Sequence, residues 1–127
     1  MDLNYIEDYE ILYRVVRNSY PDAFVNGRPT AALFMDPGGA SVERDGGRSE
    51  ELIVSVCRKR FGRREDYKTA VKITADECRK VNTYPNPVGN HKNEFHAEIH
   101  DSEQVVEIGL LKAMQLAAMC REVEKYE

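Results

Sequence analysis

His96-Ala97-Glu98-Ile99-His100 is the densest run of potential chemistry in the chain. Side chains on a β-strand alternate with period two, so His96, Glu98 and His100 would share one face. Two imidazoles and a carboxylate pointing the same way suit general acid–base work or a divalent ion. The strict metal motifs are absent. HExxH places glutamate directly after the first histidine, where this chain has Ala97, and the inverted HxxEH places it where Ile99 stands. His-x-Glu opens the zinc deaminase signature, but no Pro-Cys-x-x-Cys follows it. His96, His100 and Glu98 are therefore catalytic candidates, and no metal is assigned. A histidine-rich ββα nuclease, with His91 ahead of the strand and a helix behind it, has a compatible order. The alternative is a polar, solvent-facing strand face with Phe95, Ala97 and Ile99 packed inward.

Arginines supply the second candidate chemistry. Arg28 lies in Asn26-Gly27-Arg28-Pro29-Thr30, where proline stiffens the turn and holds the preceding residue extended. Arg14 sits mid-strand between Tyr13 and Val15. If the two converge, with Thr30 beside them, they would bind a carboxylate or phosphate through bidentate hydrogen bonds. Otherwise each would bond loop carbonyls or a local acid such as Asp36. Arg58, Lys59, Arg60, Arg63 and Arg64 crowd into CRKRFGRR. Arg58, Arg60 and Arg63 are candidates there for a nucleic-acid backbone, a nucleotide phosphate or an acidic partner. Cations also gather in the last turn of a helix because they complement its macrodipole. No GxxxxGK[ST] or GxGxxG loop is present, and no cofactor is expected.

The elements that must position these residues follow from patterning. The 127 residues have the length of one domain, read as 1–127, and 42% hydrophobic with 31% charged is a globular composition. Glu10 to Val16 reads as a strand, residues 18–30 as turn and loop, and Ala31–Met35 with Ala40–Arg44 as a hairpin around Asp36-Pro37-Gly38-Gly39. Ser49 caps a helix ending near Phe61, with Leu52, Ile53, Val56 and Cys57 on its apolar face. Tyr67–Ile73 is a strand, and Thr74 with Glu77 forms a capping box for a short helix ending near Val81. Residues 82–93, with two prolines, read as loop, and Glu94–His100 as a strand. The last helix spans about 105–125, with an apolar stripe through Ile108, Leu110, Leu111, Met114, Ala117 and Ala118. The sum is an α+β domain: a mixed sheet of four or five strands with about three helices packed on one face.

Charge and cysteine usage narrow the function classes. The formal charge of −4 argues against a protein that coats DNA. Residues 1–64 balance ten basic against ten acidic side chains, and the deficit lies in the second half. Cys57, Cys78 and Cys120 are an odd, unpaired set that fits a reducing cytosol. Neither a membrane-spanning run nor a secretory leader is evident, so a cytoplasmic location is expected.

The pattern over roughly residues 10–125 is similar to a group of small uncharacterised bacterial proteins. The residues carrying the likeness are Leu12-Tyr13-Arg14, Arg28-Pro29-Thr30-Ala31-Ala32-Leu33-Phe34, Ala40-Ser41-Val42, Arg44 through Glu51, and His96-Ala97-Glu98-Ile99-His100. In that group two serines commonly follow the proline, where this chain has Thr30 and Ala31. The likeness implies a bacterial cytosolic protein and no activity. More loosely, the chain resembles small ADP-ribosyltransferase-type toxins, with Arg14 and Thr30 at two of their positions and Glu98 or Glu107 as the late glutamate.

Three functions follow as expectations. The leading one is an accessory or interaction protein that partners a larger bacterial protein in an antiphage or toxin–antitoxin locus. The second is a small enzyme acting on nucleic acid or nucleotide through His96, Glu98 and His100, with Arg14 and Arg28 on phosphate. The third is a nucleic-acid-binding module using residues 58–64.

Overall fold

In the computed structural model, which describes residues 1–62 and 65–126, the strands are β1 (Ile11–Arg17), β2 (Phe24–Val25), β3 (Arg28–Pro29), β4 (Ala40–Arg44), β5 (Tyr67–Thr74), β6 (Tyr84–Pro87), β7 (His96–His100) and β8 (Arg121–Glu122). The α-helices are α1 (Glu50–Gly62), α2 (Ala75–Lys80) and α3 (Leu110–Met119). The chain is α+β, and among the described residues six of the eight strands form one sheet, in the order β6-β7-β4-β1-β5-β8, while β2 and β3 pair separately. Every pairing in that sheet is antiparallel, so it is neither mixed nor limited to four or five strands. β4 and β5 do run the same way across α1. They never pair, because β1 lies between them.

Local chemistry accounts for several elements. Ser49 Oγ accepts from the Leu52 amide at 3.2 Å to open α1. The Thr74–Glu77 capping box forms in full ahead of α2. Asn26 and Gly27, at φ 54° and 75°, make the tight turn that pairs β2 with β3, so a small hairpin stands where loop was expected.

Three expectations change. Ala31–Phe34 is a turn of 3-10 helix and not a hairpin arm. β4 is already bonded on both sides, to β1 and β7, so no edge is left for it. Residues 84–87 form a strand in spite of Pro85 and Pro87. β6 is an edge strand, where missing amide donors are tolerated. The last helix is short because 121–122 pair with the free edge of β5, while Asp101 and Ser102 hold the preceding loop through Gly109, Gln104 and Val105.

Helices cover both faces of the sheet, not one. Leu12, Val16, Val71, Ile73, Ala97 and Ile99 pack against the 31–34 turn, α2 and α3. On the other face α1 places Ile53, Val54 and Cys57 against Tyr13 and Ala70. Leu52 of the expected α1 face is half exposed. α1 reaches only part of that second face. Beyond it Ser41, Glu43, His96, Glu98 and His100 share the polar side of β4 and β7, with Ser41 open to solvent and Glu43 and His100 buried, in keeping with the alternation read in β7.

Candidate ligand-binding cleft

β1 and β4 pair only through Leu12 with Arg44 and Tyr13 with Glu43, and then part. The fork opens a cleft of about 760 Å³, walled by the 19–23 segment, the last turns of α1 and residues 90–93. That volume lies within the range of small-ligand sites. Arg14, Arg17, Arg60 and Lys92 line it against Asp22, Asp36 and Glu43, so its lining is more basic than the chain.

Arg14 fills the fork itself. Its Nε donates to the Leu33 carbonyl at 3.0 Å, its Nη1 to the Ser41 carbonyl at 3.0 Å and its Nη2 to Asp36 at 2.8 Å. Each of its nitrogens is engaged, and the guanidinium bridges the gap that the ladder leaves open. Arg17 differs. Its Nε donates to Asp66 at 2.6 Å, and its guanidinium lies 4.9 Å from the Tyr20 ring centre and 5.3 Å from that of Phe61. Nη1 and Nη2 have no partner among the described residues. Asp66 is buried and also accepts from the Ser19 amide and hydroxyl at 2.7 and 2.8 Å. Burial pushes its pKa up, but the Ser19 bonds and Arg17 outweigh that and hold it below its ordinary value.

Glu43, 3% exposed, closes the floor. It accepts from Arg48 at 3.0 Å, Arg60 at 3.2 Å and Asn93 at 3.1 Å. Burial raises its pKa, and the Asn93 and Arg48 bonds with the Arg60 charge more than reverse that, leaving it below its ordinary value. Glu43 is thus a fixed anion that orients Arg60, with little capacity left to take a proton. His96 faces Glu43 across the ladder and lines the cleft. Burial pushes the Cys57 thiol, also at the cleft, up to about 11.

The structure separates most of the candidates drawn from sequence. His96 and His100 do share a face, but four extended residues set them about 13 Å apart. Among the described residues no group of three His, Cys, Asp or Glu is placed to hold a metal ion. His100 is buried and bonds Glu98 at 2.8 Å, away from the cleft lining. Gly39 makes room for that pair, since a Cβ there would lie 2.8 Å from the His100 ring. Arg28 is exposed on the small hairpin, and Thr30 Oγ1 donates to the Asp22 carbonyl at 2.6 Å, so neither lines the cleft. The basic run divides: Arg60 enters the cleft, while Arg58 leaves on the far flank of α1 to bond the Tyr126 carbonyl at 3.1 Å. Positions two apart on a helix point about 200° from one another. Arg63 lies outside the described residues.

Arg17, Tyr20, Phe61, Lys92 and Glu43 are cleft residues that the sequence did not single out. No local motif marks Arg17, because the acid that fixes it lies 49 residues away.

The class defined by fold and site is a small antiparallel α+β domain with a cleft of mixed apolar and charged lining at a forked strand pair. The chain matches no family model, no curated protein and no solved structure.

Proposed function

We propose that the protein binds a phosphate-bearing nucleoside in the cleft at the β1–β4 fork. Arg17 carries the reading. Its Nε is fixed by Asp66 and its guanidinium lies beside the Tyr20 and Phe61 side chains, 4.9 and 5.3 Å from the ring centres, which leaves the distal fork free to receive an anion at little further entropic cost. Arg60 and Lys92 supply further positive charge in the same cleft, and Tyr20 and Phe61 supply faces on which a base can stack. This is the nucleotide alternative in its binding form, with Arg17 in the phosphate role first considered for Arg14 and Arg28, beside Arg60 from the basic run. The accessory role in a bacterial locus rests on size and charge, and no feature of the cleft speaks for it.

Isothermal titration with nucleoside mono-, di- and triphosphates, and with inorganic phosphate, tests the reading. Saturable binding is expected. Arg17→Ala should weaken it ~10- to 100-fold, the loss of a charged hydrogen bond, while Arg28→Ala on the exposed hairpin leaves it unchanged. No binding at millimolar ligand, or equal effects of the two variants, would overturn it.

A further inference from the structure

α3 is apolar on both sides. Ala113 and Leu116 are buried under it, yet Leu110, Leu111 and Met114 are 60%, 70% and 53% exposed, with Ala118 also open to solvent. Val105 and Val106, in the loop that leads to the helix, are a further 52% and 41% exposed. The one charged side chain of the helix, Lys112, is turned back onto Asp101 and the Asn82 carbonyl. Apart from Gln115, which is exposed, the open side of the helix is apolar, and a helix apolar on both sides is ordinarily a buried one. These side chains leave on the order of 500 Å² of carbon surface open, near the upper limit for the largest patch on a monomer.

We propose that the protein forms a two-fold dimer through α3, the two helices antiparallel and crossing at Met114. The side-chain sizes along the stripe select this partner and this direction. The N-terminal end presents leucines and the C-terminal end alanines, so an antiparallel second copy sets Leu110 of each chain against Ala118 of the other. A parallel pair would set leucine on leucine and leave a gap between alanines. Two-fold symmetry makes each such contact occur twice, and large-against-small pairing is what close packing requires. Arg121, half exposed just past the helix, is already paired with Glu77 at 3.2 Å, so the contact rests on the apolar side chains and not on charge. With a polar rim added, the buried area is at the lower end for a stable complex, and dissociation falls at about micromolar concentration. The cleft and its ligand play no part in this surface.

Sedimentation of the full chain from about 1 to 300 µM tests the dimer. The mass should rise from 14.5 kDa towards twice that value. Met114→Lys, which places two like charges at the two-fold axis, should hold it at monomer mass with an unchanged circular dichroism spectrum. Leu110→Glu and Ala118→Lys should each abolish the dimer, and the two together should restore it. That pair decides the matter should Met114→Lys fail to fold. A wild-type monomer throughout overturns the proposal, as does a dimer indifferent to Met114→Lys. So does failure of the double variant to recover, or a different protein occupying the face.

Discussion

Replacing Arg44 with methionine isolates the one ion pair among the described residues that is buried on both sides. The Arg44 side chain is fully buried and its partner Glu10 is 7% exposed. Nε and Nη2 meet the carboxylate at 2.8 and 2.9 Å, and Nη2 also donates to the carbonyls of Asp2 and Tyr5 at 2.9 and 2.7 Å. Methionine of similar length leaves Glu10 with the Glu7 amide alone, at 2.7 Å. An uncompensated buried charge costs ~3–5 kcal/mol. In urea, at about 1.5 kcal/mol per molar, the midpoint should fall by roughly 2–3 M. Adding Glu10→Gln removes the stranded charge, so the double variant should be more stable than the two single losses summed, by ~1–3 kcal/mol. The pH dependence sharpens the test. In the native protein, burial pushes Glu10 up, but the Arg44 and Glu7 bonds hold its pKa below 4.5. Its contribution is therefore present above pH 4.5 and lost as pH falls through the lower, folded value. Without Arg44, burial dominates and the folded pKa rises above the unfolded one. The deficit of Arg44→Met should then narrow as pH falls from about 7 to 5. A loss below about 1 kcal/mol, or a deficit flat across that interval, would refute the reasoning.

Gly39→Ala should cost ~2 kcal/mol, because φ of 95° strains any side chain and the new Cβ would meet His100; equilibrium unfolding checks it, and an unchanged midpoint would remove the packing argument. Cys57 and Cys78 are buried, with thiols pushed by burial up to about 11 and about 12, so neither should react with a thiol reagent at pH 7.5 while the chain is folded. Both should label at once in denaturant, and rapid native labelling of either would contradict the burial.

Local signals decided whatever depended on neighbours in the chain. Ser49 and the Thr74–Glu77 box start α1 and α2 where capping chemistry demands, and the period-two alternation of β7 buries Ala97 and Ile99. The same alternation put His96 and His100 on one face. It could not show that only His96 reaches a cleft, because that depends on where α1 stops covering the sheet. Other features needed partners far along the chain. Ala31–Phe34 has strand-like residues, yet β1 and β7 already occupy both sides of β4. The tail beyond Met119 left the helix for the open edge of β5. The stripe of α3 was legible as apolar, but which half faces inward was set by the 31–34 turn beneath it. Arg14 and Arg17 look alike in sequence, three residues apart on one strand. One is consumed by carbonyls across the fork and the other is fixed by Asp66 beside two rings, since a guanidinium's free donors depend on what the fold brings to it.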